Sequence, residues 1–221
     1  SVGDGQVAGG METMREVGSV VEGLLEAENR SPGPDALIGS RLGLLYWIDR
    51  EWLAENTPRL FTPSDELKEP TSGEGWALWN AFLIWVRPHI AFYRLFQDQY
   101  SVAIEHSRML DGKTAGDRDP MSHLGEHLVV LFARGELELT EGALARFLEI
   151  ASPRLRLHAF SFIGRVLRSE EDLPPKFIGR FQELWEVYWA GAGPTDVVQE
   201  GGNSTFGWWF ASGRFPSRWA L

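Results

Sequence analysis

Four groups of residues in this chain have types and spacings that could do chemistry. His123-Leu124-Gly125-Glu126-His127 matches H-x-x-E-H, in which two histidines four apart on one helical face hold zinc and the glutamate between them activates water. Gly125 weakens a helix at the middle of that site, His123 falls in the first turn, and no particular later glutamate can be assigned as a third ligand. The favoured reading is a pair at a helix start, with a zinc-dependent hydrolase on His123, Glu126 and His127 as its rival. Asp111-Gly112-Lys113-Thr114 ends like a phosphate loop, but the first glycine would fall at Ser107 and no strand precedes it, so a plain turn is expected.

The other two groups could bind rather than react. Arg154, His158, Arg165 and Arg168 recur near one helical face, with Lys176 and Arg180 on the next helix, a set that could hold an anion or a phosphate backbone. Glu136, Glu138, Glu141 and Glu149 lie close in sequence and could neutralise it in exposed pairs worth about 0–1 kcal/mol each. With 31 acidic against 21 basic residues and a net charge of -10, the structural reading of that face prevails and nucleic acid is disfavoured as a partner. Trp208, Trp209 and Arg214 sit beside the Gly-rich stretch Gly191 to Ser204 and are the candidate protein-binding residues, since tryptophan and arginine dominate binding hot spots. Trp47, Trp76, Trp79, Trp185 and Trp189 fall on helical stripes and are expected in the core. No Ser-His-Asp or paired-carboxylate constellation stands out, and no cofactor is implied.

The elements that must position these residues read as helices. Ser152-Pro153 is a hydroxyl cap before a proline at the first helical position. Leu155, Ala159, Phe162, Ile163 and Val166 then recur at three-and-four spacing until Pro174-Pro175 opens another helix, with Phe177, Phe181, Leu184, Trp185 and Tyr188 as its apolar stripe. Upstream, the pattern predicts helices over Glu12 to Asn29 and over Asp35 to about Glu55, the second burying Leu37, Ile38, Leu42, Leu45, Tyr46, Ile48 and Trp52. A loop from Thr57 to Gly75 follows, then a helix from Trp76 to Phe96 broken near Arg87 by Pro88, and a helix over Gln97 to Leu110. Ser122 is expected to cap a helix from His123 to Ala133 that Gly135 ends. Nothing alternates with period two, so the fold class is all-α: antiparallel helix pairs stacked as a short HEAT-like solenoid or irregular array. Zero cysteines exclude disulfides and thiolate chemistry. The longest apolar run, Trp76 to Val86, is about half of the ~20 residues that span a bilayer. No membrane span is expected, and the cytoplasm is the expected compartment.

From about Asp117 onward the segments HLGEHLVVLFARGELEL, ASPRLRLHAFSFIGRVL, LPPKFIGRFQELWEVYW and FGWWFASGRFPSRWAL together resemble the C-terminal helical-repeat regions of large bacterial STAND-type NTPases and related conflict-system proteins, several of which act in anti-phage defence. The resemblance implies a non-enzymatic recognition or scaffold module, binding a protein target or regulating an attached NTPase or effector. Residues 1–10 are expected as disordered and 11–221 as the helical-repeat domain, divisible into sub-arrays 11–110 and 111–221. The opening on Ser1 and the helix-like start at Arg218-Trp219-Ala220-Leu221 suggest a piece of a longer protein. The rival readings are the zinc hydrolase and a nucleic-acid-binding repeat.

Overall fold

The computed structural model describes residues 15–26, 31–61, 76–110, 119–190 and 203–215, with backbone alone at 15, 110, 189–190 and 203–206. The expectations for residues 1–10, the ends of the 12–29 helix, the 112–114 turn, the linker after 190, the Trp189 side chain and the start at 218 lie outside them. Every described element is helical, and no strand occurs among the described residues. None of these helices is long and apolar enough to cross a membrane. The chain divides into two compact units, residues 1–102 and 103–221.

In the first unit, α1 (Arg15–Glu26) precedes α2 (Pro32–Ile48) and α3 (Arg50–Leu60). The single helix expected over Asp35 to Glu55 is two, because Asp49 interrupts it in an extended conformation (φ −155°, ψ 95°). Its N–H closes α2 on the Leu45 carbonyl, and its carboxylate accepts the Trp52 N–H at 2.9 Å to open α3. Aspartate is among the best N-caps, and α3 runs past Thr57 and through Pro58 to Leu60. Helix α2 is apolar on both sides. Ile38, Leu42, Leu45 and Ile48 are buried, whereas Leu37, Leu44 and Trp47 face solvent at 59, 55 and 42% exposure, which corrects the core assignments of Leu37 and Trp47.

Helix α4 (Ala77–Trp85) packs along α2. Gly39 lies against Leu78 and Gly43 against Val86, contacts that advance together, so the two helices run in the same sense. A four-residue break at 86–89 follows, as Pro88 requires. His89 then caps α5 (Ile90–Leu95), its Nδ1 accepting the Ala91 N–H at 3.2 Å. The unit closes on rings from α4, α5 and the start of α6 (Gln97–Leu110). Trp79 meets Tyr100 edge-on at 4.9 Å and Phe82 meets Phe96 at 5.3 Å, the offset geometry that ring quadrupoles favour.

The second unit holds α7 (Pro120–Ala133), α8 (Gly142–Ile150), α9 (Pro153–Ser169), α10 (Pro175–Trp185), a π-helical turn over Glu186–Ala190, and α11 (Asn203–Ala211). Ser152 caps α9 as expected, its Oγ accepting the Leu155 N–H at 3.3 Å. Helix α7 begins earlier than expected: Asp119 is the cap, Pro120 the first helical residue, and Ser122 lies inside. Gly135, at φ 80°, ends α7 through paired bonds from Gly135 and Glu136 N–H to the Phe132 and Leu131 carbonyls, a Schellman closure that needs a left-handed residue.

Contacts fix the layering of this unit. Asp119 meets Arg154, and Glu126 meets Arg165, so α7 and α9 run in the same sense. Gly164 meets Trp209, and the Leu167 carbonyl meets Arg214 just beyond α11, so α9 and α11 do too. The Phe132 carbonyl meets Arg180 and the Arg134 carbonyl meets Lys176, so α10 opposes α7. Helix α8 links the end of α7 to the start of α9 and therefore returns as well. Of the stripe expected on α10, Phe181 and Leu184 are buried, and Phe177, Trp185 and Tyr188 are half-buried.

The contrast between two glycines tests the first unit. A Cβ at Gly39 would collide with the Leu78 backbone, whereas one at Gly23 meets nothing within 4 Å. Urea unfolding of Gly39→Ala should show a loss of about 1–3 kcal/mol from overpacking. Gly23→Ala should gain up to about 1 kcal/mol from helix propensity.

Candidate functional site

The α7–α9 seam carries an open polar pocket of about 320 Å³ lined by Asp119, Ser122, His123, Glu126, Arg154, His158 and Arg165. It exists because the two helices meet over small residues. A Cβ on Gly125 would lie 3.3 Å from the Ala159 Cβ and 3.1 Å from the Phe147 ring, so nothing bulky separates the backbones there. Polar side chains along the seam reach across instead.

Glu126 is the hub. His123 Nδ1 approaches its Oε2 at 3.1 Å, and both His158 Nε2 (2.8 Å) and Arg165 Nη2 (3.1 Å) approach its Oε1. Burial pushes the Glu126 carboxyl up, but hydrogen bonds from His123 and His158 and their charges outweigh it and hold the group at about 2. Asp119 is the second anchor. It accepts the Met121 N–H (3.1 Å), the Ser122 hydroxyl (3.0 Å) and the Arg154 guanidinium. Burial raises this carboxyl too, and those donors, Arg154 first, bring it below the ordinary aspartate value.

An ionised carboxylate only accepts, so each imidazole gives Glu126 an N–H. The second nitrogens, His123 Nε2 and His158 Nδ1, have no hydrogen-bond partner among the described residues. They accept when neutral and donate when protonated. The Ser122 hydroxyl donates to Asp119, not to an imidazole, so no serine–base pair of the hydrolytic kind forms at this seam.

The chain matches no family model, no curated protein and no solved structure. Function therefore rests on the geometry of its own side chains.

Two residue sets read separately in the sequence converge at this pocket: His123 and Glu126 from the H-x-x-E-H spacing, and Arg154, His158 and Arg165 from the basic face. The zinc trio does not assemble. His127 is buried at 2% exposure and does not line the pocket, and the described residues contain no group of three or more histidines, aspartates and glutamates placed to hold a metal ion. Arg168 also stands apart, stacked 5.3 Å over the Trp208 ring. Lys176 and Arg180 bind carbonyls at the end of α7 and in the following turn: Lys176 that of Arg134, and Arg180 those of Phe132 and Leu137. Their charges thereby satisfy a helix C-terminus. Asp119 and Ser122 were missed as site residues, although Asp119-Pro120 repeats the cap signal of Ser152-Pro153.

The candidate protein-binding residues divide. Trp209 is interior, 1% exposed, and its Nε1 donates to the Phe160 carbonyl at 2.8 Å. Arg214 donates to the Leu167 carbonyl at 2.7 Å and to the Glu170 and Glu171 carbonyls, capping the end of α9. Both are packing residues here. Trp208, by contrast, is 55% exposed.

The depressed Glu126 value has a consequence for acid stability. Its contribution is complete above the ordinary value of 4.5 and is lost as pH falls through that value toward about 2. Urea unfolding across that range should show a steep loss of stability in the native chain and a shallower one in Glu126→Gln, which is less stable at neutral pH. Equal slopes in the two proteins would exclude the assigned role.

Proposed function

We propose that this chain is a non-enzymatic recognition module, a short HEAT-like helical array within a larger defence-type protein of the kind its sequence resembles. The observation that carries this reading is the layering of the second unit, with α7, α9 and α11 side by side in one sense and α8 and α10 returning. Such arrays add one ridge of surface per helix pair and present large recognition areas without a reactive group. A seam whose carboxylates are held ionised, and whose serine donates to Asp119, fits a module that binds rather than turns over a substrate.

The partner is a protein, or another domain of the parent chain, and the Arg168–Trp208 pair at the α9–α11 ridge is the part of the surface suited to it. Arg168 is exposed, and its guanidinium lies 5.3 Å over the half-exposed Trp208 ring. This joins the two residue types that dominate hot spots and fits a partner presenting an apolar side chain beside a carboxylate.

Site-specific photo-crosslinking in the native host tests this. A photoreactive residue at position 208 should give a discrete protein adduct that Arg168→Glu abolishes. The same probe at exposed Gly179 on α10, in the returning layer, should give none. Equal adducts from both positions, or none from 208, would remove the proposal.

A further inference from the structure

The seam pocket has a distribution of charge that its sum conceals. Its permanent charges cancel, Asp119 against Arg154 and Glu126 against Arg165. Their depths differ, however. The carboxylate side chains are 8 and 16% exposed, whereas those of Arg154 and Arg165 are 48 and 57% exposed and those of His123 and His158 26 and 31%. The acids form the floor, and the guanidinium and imidazole groups form the rim. An entering ligand meets donors first, on a chain that is acidic overall.

We propose that this pocket binds a small tetrahedral oxyanion, a sulfate, inorganic phosphate or phosphomonoester group, held between Arg154, His158 and Arg165 of α9 and His123 of α7. Planar guanidinium forks are suited to such groups. About 320 Å³ stands at the lower end of small-ligand cavities. With Glu126 ionised and taking one N–H from each ring, a protonated imidazole has its second N–H left to donate to the ligand, beside the two guanidinium groups. Charges on neighbouring elements are engaged elsewhere. Arg146 of α8 binds Glu105 and Glu149, Lys176 and Arg180 bind carbonyls at and just past the end of α7, Arg168 stacks on Trp208, and Arg214 caps α9. The ligand chemistry of the pocket stands independently of how the array engages a partner.

Sulfate is the first probe because it is a tetrahedral dianion that carries no exchangeable proton of its own near neutral pH. Titrated into the full chain at constant ionic strength against chloride, it should give saturable shifts of the His123 and His158 ring resonances. Calorimetry should show one saturable sulfate site per chain. Arg165→Gln should weaken binding by about tenfold or more, as loss of a charge-assisted donor predicts. A phosphomonoester binding more tightly than inorganic phosphate assigns the site to an esterified group, and the reverse order assigns it to the free ion. Ring resonances of the native chain that stay unmoved, that shift without saturation, or that respond equally to chloride would overturn the proposal, whatever the folding of the variant.

Discussion

Close approach of α7 and α9 at Gly125 and Ala159 is the constraint from which the second unit follows. Two helices that meet over a glycine and an alanine leave no room for bulk between their backbones, so the side chains flanking the contact must be long enough to cross the seam. Here they are polar. Asp119 and Glu126 rise from α7, and Arg154, His158 and Arg165 reach them from α9. Buried carboxylates without such partners would be costly; with them, they fix the register of one helix against the other. The same close contact admits the Phe147 ring of α8 beneath Gly125, which ties the returning helix to the seam.

Helix α9 repeats the device on its other side. A Cβ at Gly164 would stand 3.2 Å from Trp209 and 3.3 Å from Trp208. The bare backbone there lets the indole of Trp209 enter and donate to the Phe160 carbonyl. Arg214 then satisfies carbonyls at the end of α9, which otherwise lack intrahelical donors. One glycine per neighbour thus sets α9 between α7 and α11, and the aromatic segment near the end of the chain serves mainly as a seal, with Trp208 left at the surface.

Much of this was legible in the sequence where a local signal acts alone. Ser152-Pro153, Gly135 and Pro88 each dictate a backbone event that no tertiary contact needs to supply, and each is found where it was read. Periodicity was less decisive. Apolar residues continue across Asp49, so a cap that splits one helix into two was invisible beneath them, and an α2 apolar on all sides gave no sign of which stripe would be buried. The convergence at Glu126 was out of reach because it joins residues 32 and 39 positions apart, through a helix contact that only the chain path creates. The burial of Trp209 and the bonding of Arg214 along α9 were out of reach for a related reason. A tryptophan beside a glycine-rich stretch looks available for binding, and nothing local reveals the glycine 45 residues earlier that receives it.

The claim that the Glu126 network holds the α7–α9 seam is tested most directly by a double-mutant cycle. Unfolding free energies at neutral pH would be measured for the native chain, Glu126→Gln, His158→Gln and the double variant. A coupling of about 1 kcal/mol or more between the two positions is the predicted result, since the residues bond across the seam. Losses that add to within about 0.3 kcal/mol would contradict it and leave the seam to apolar packing alone.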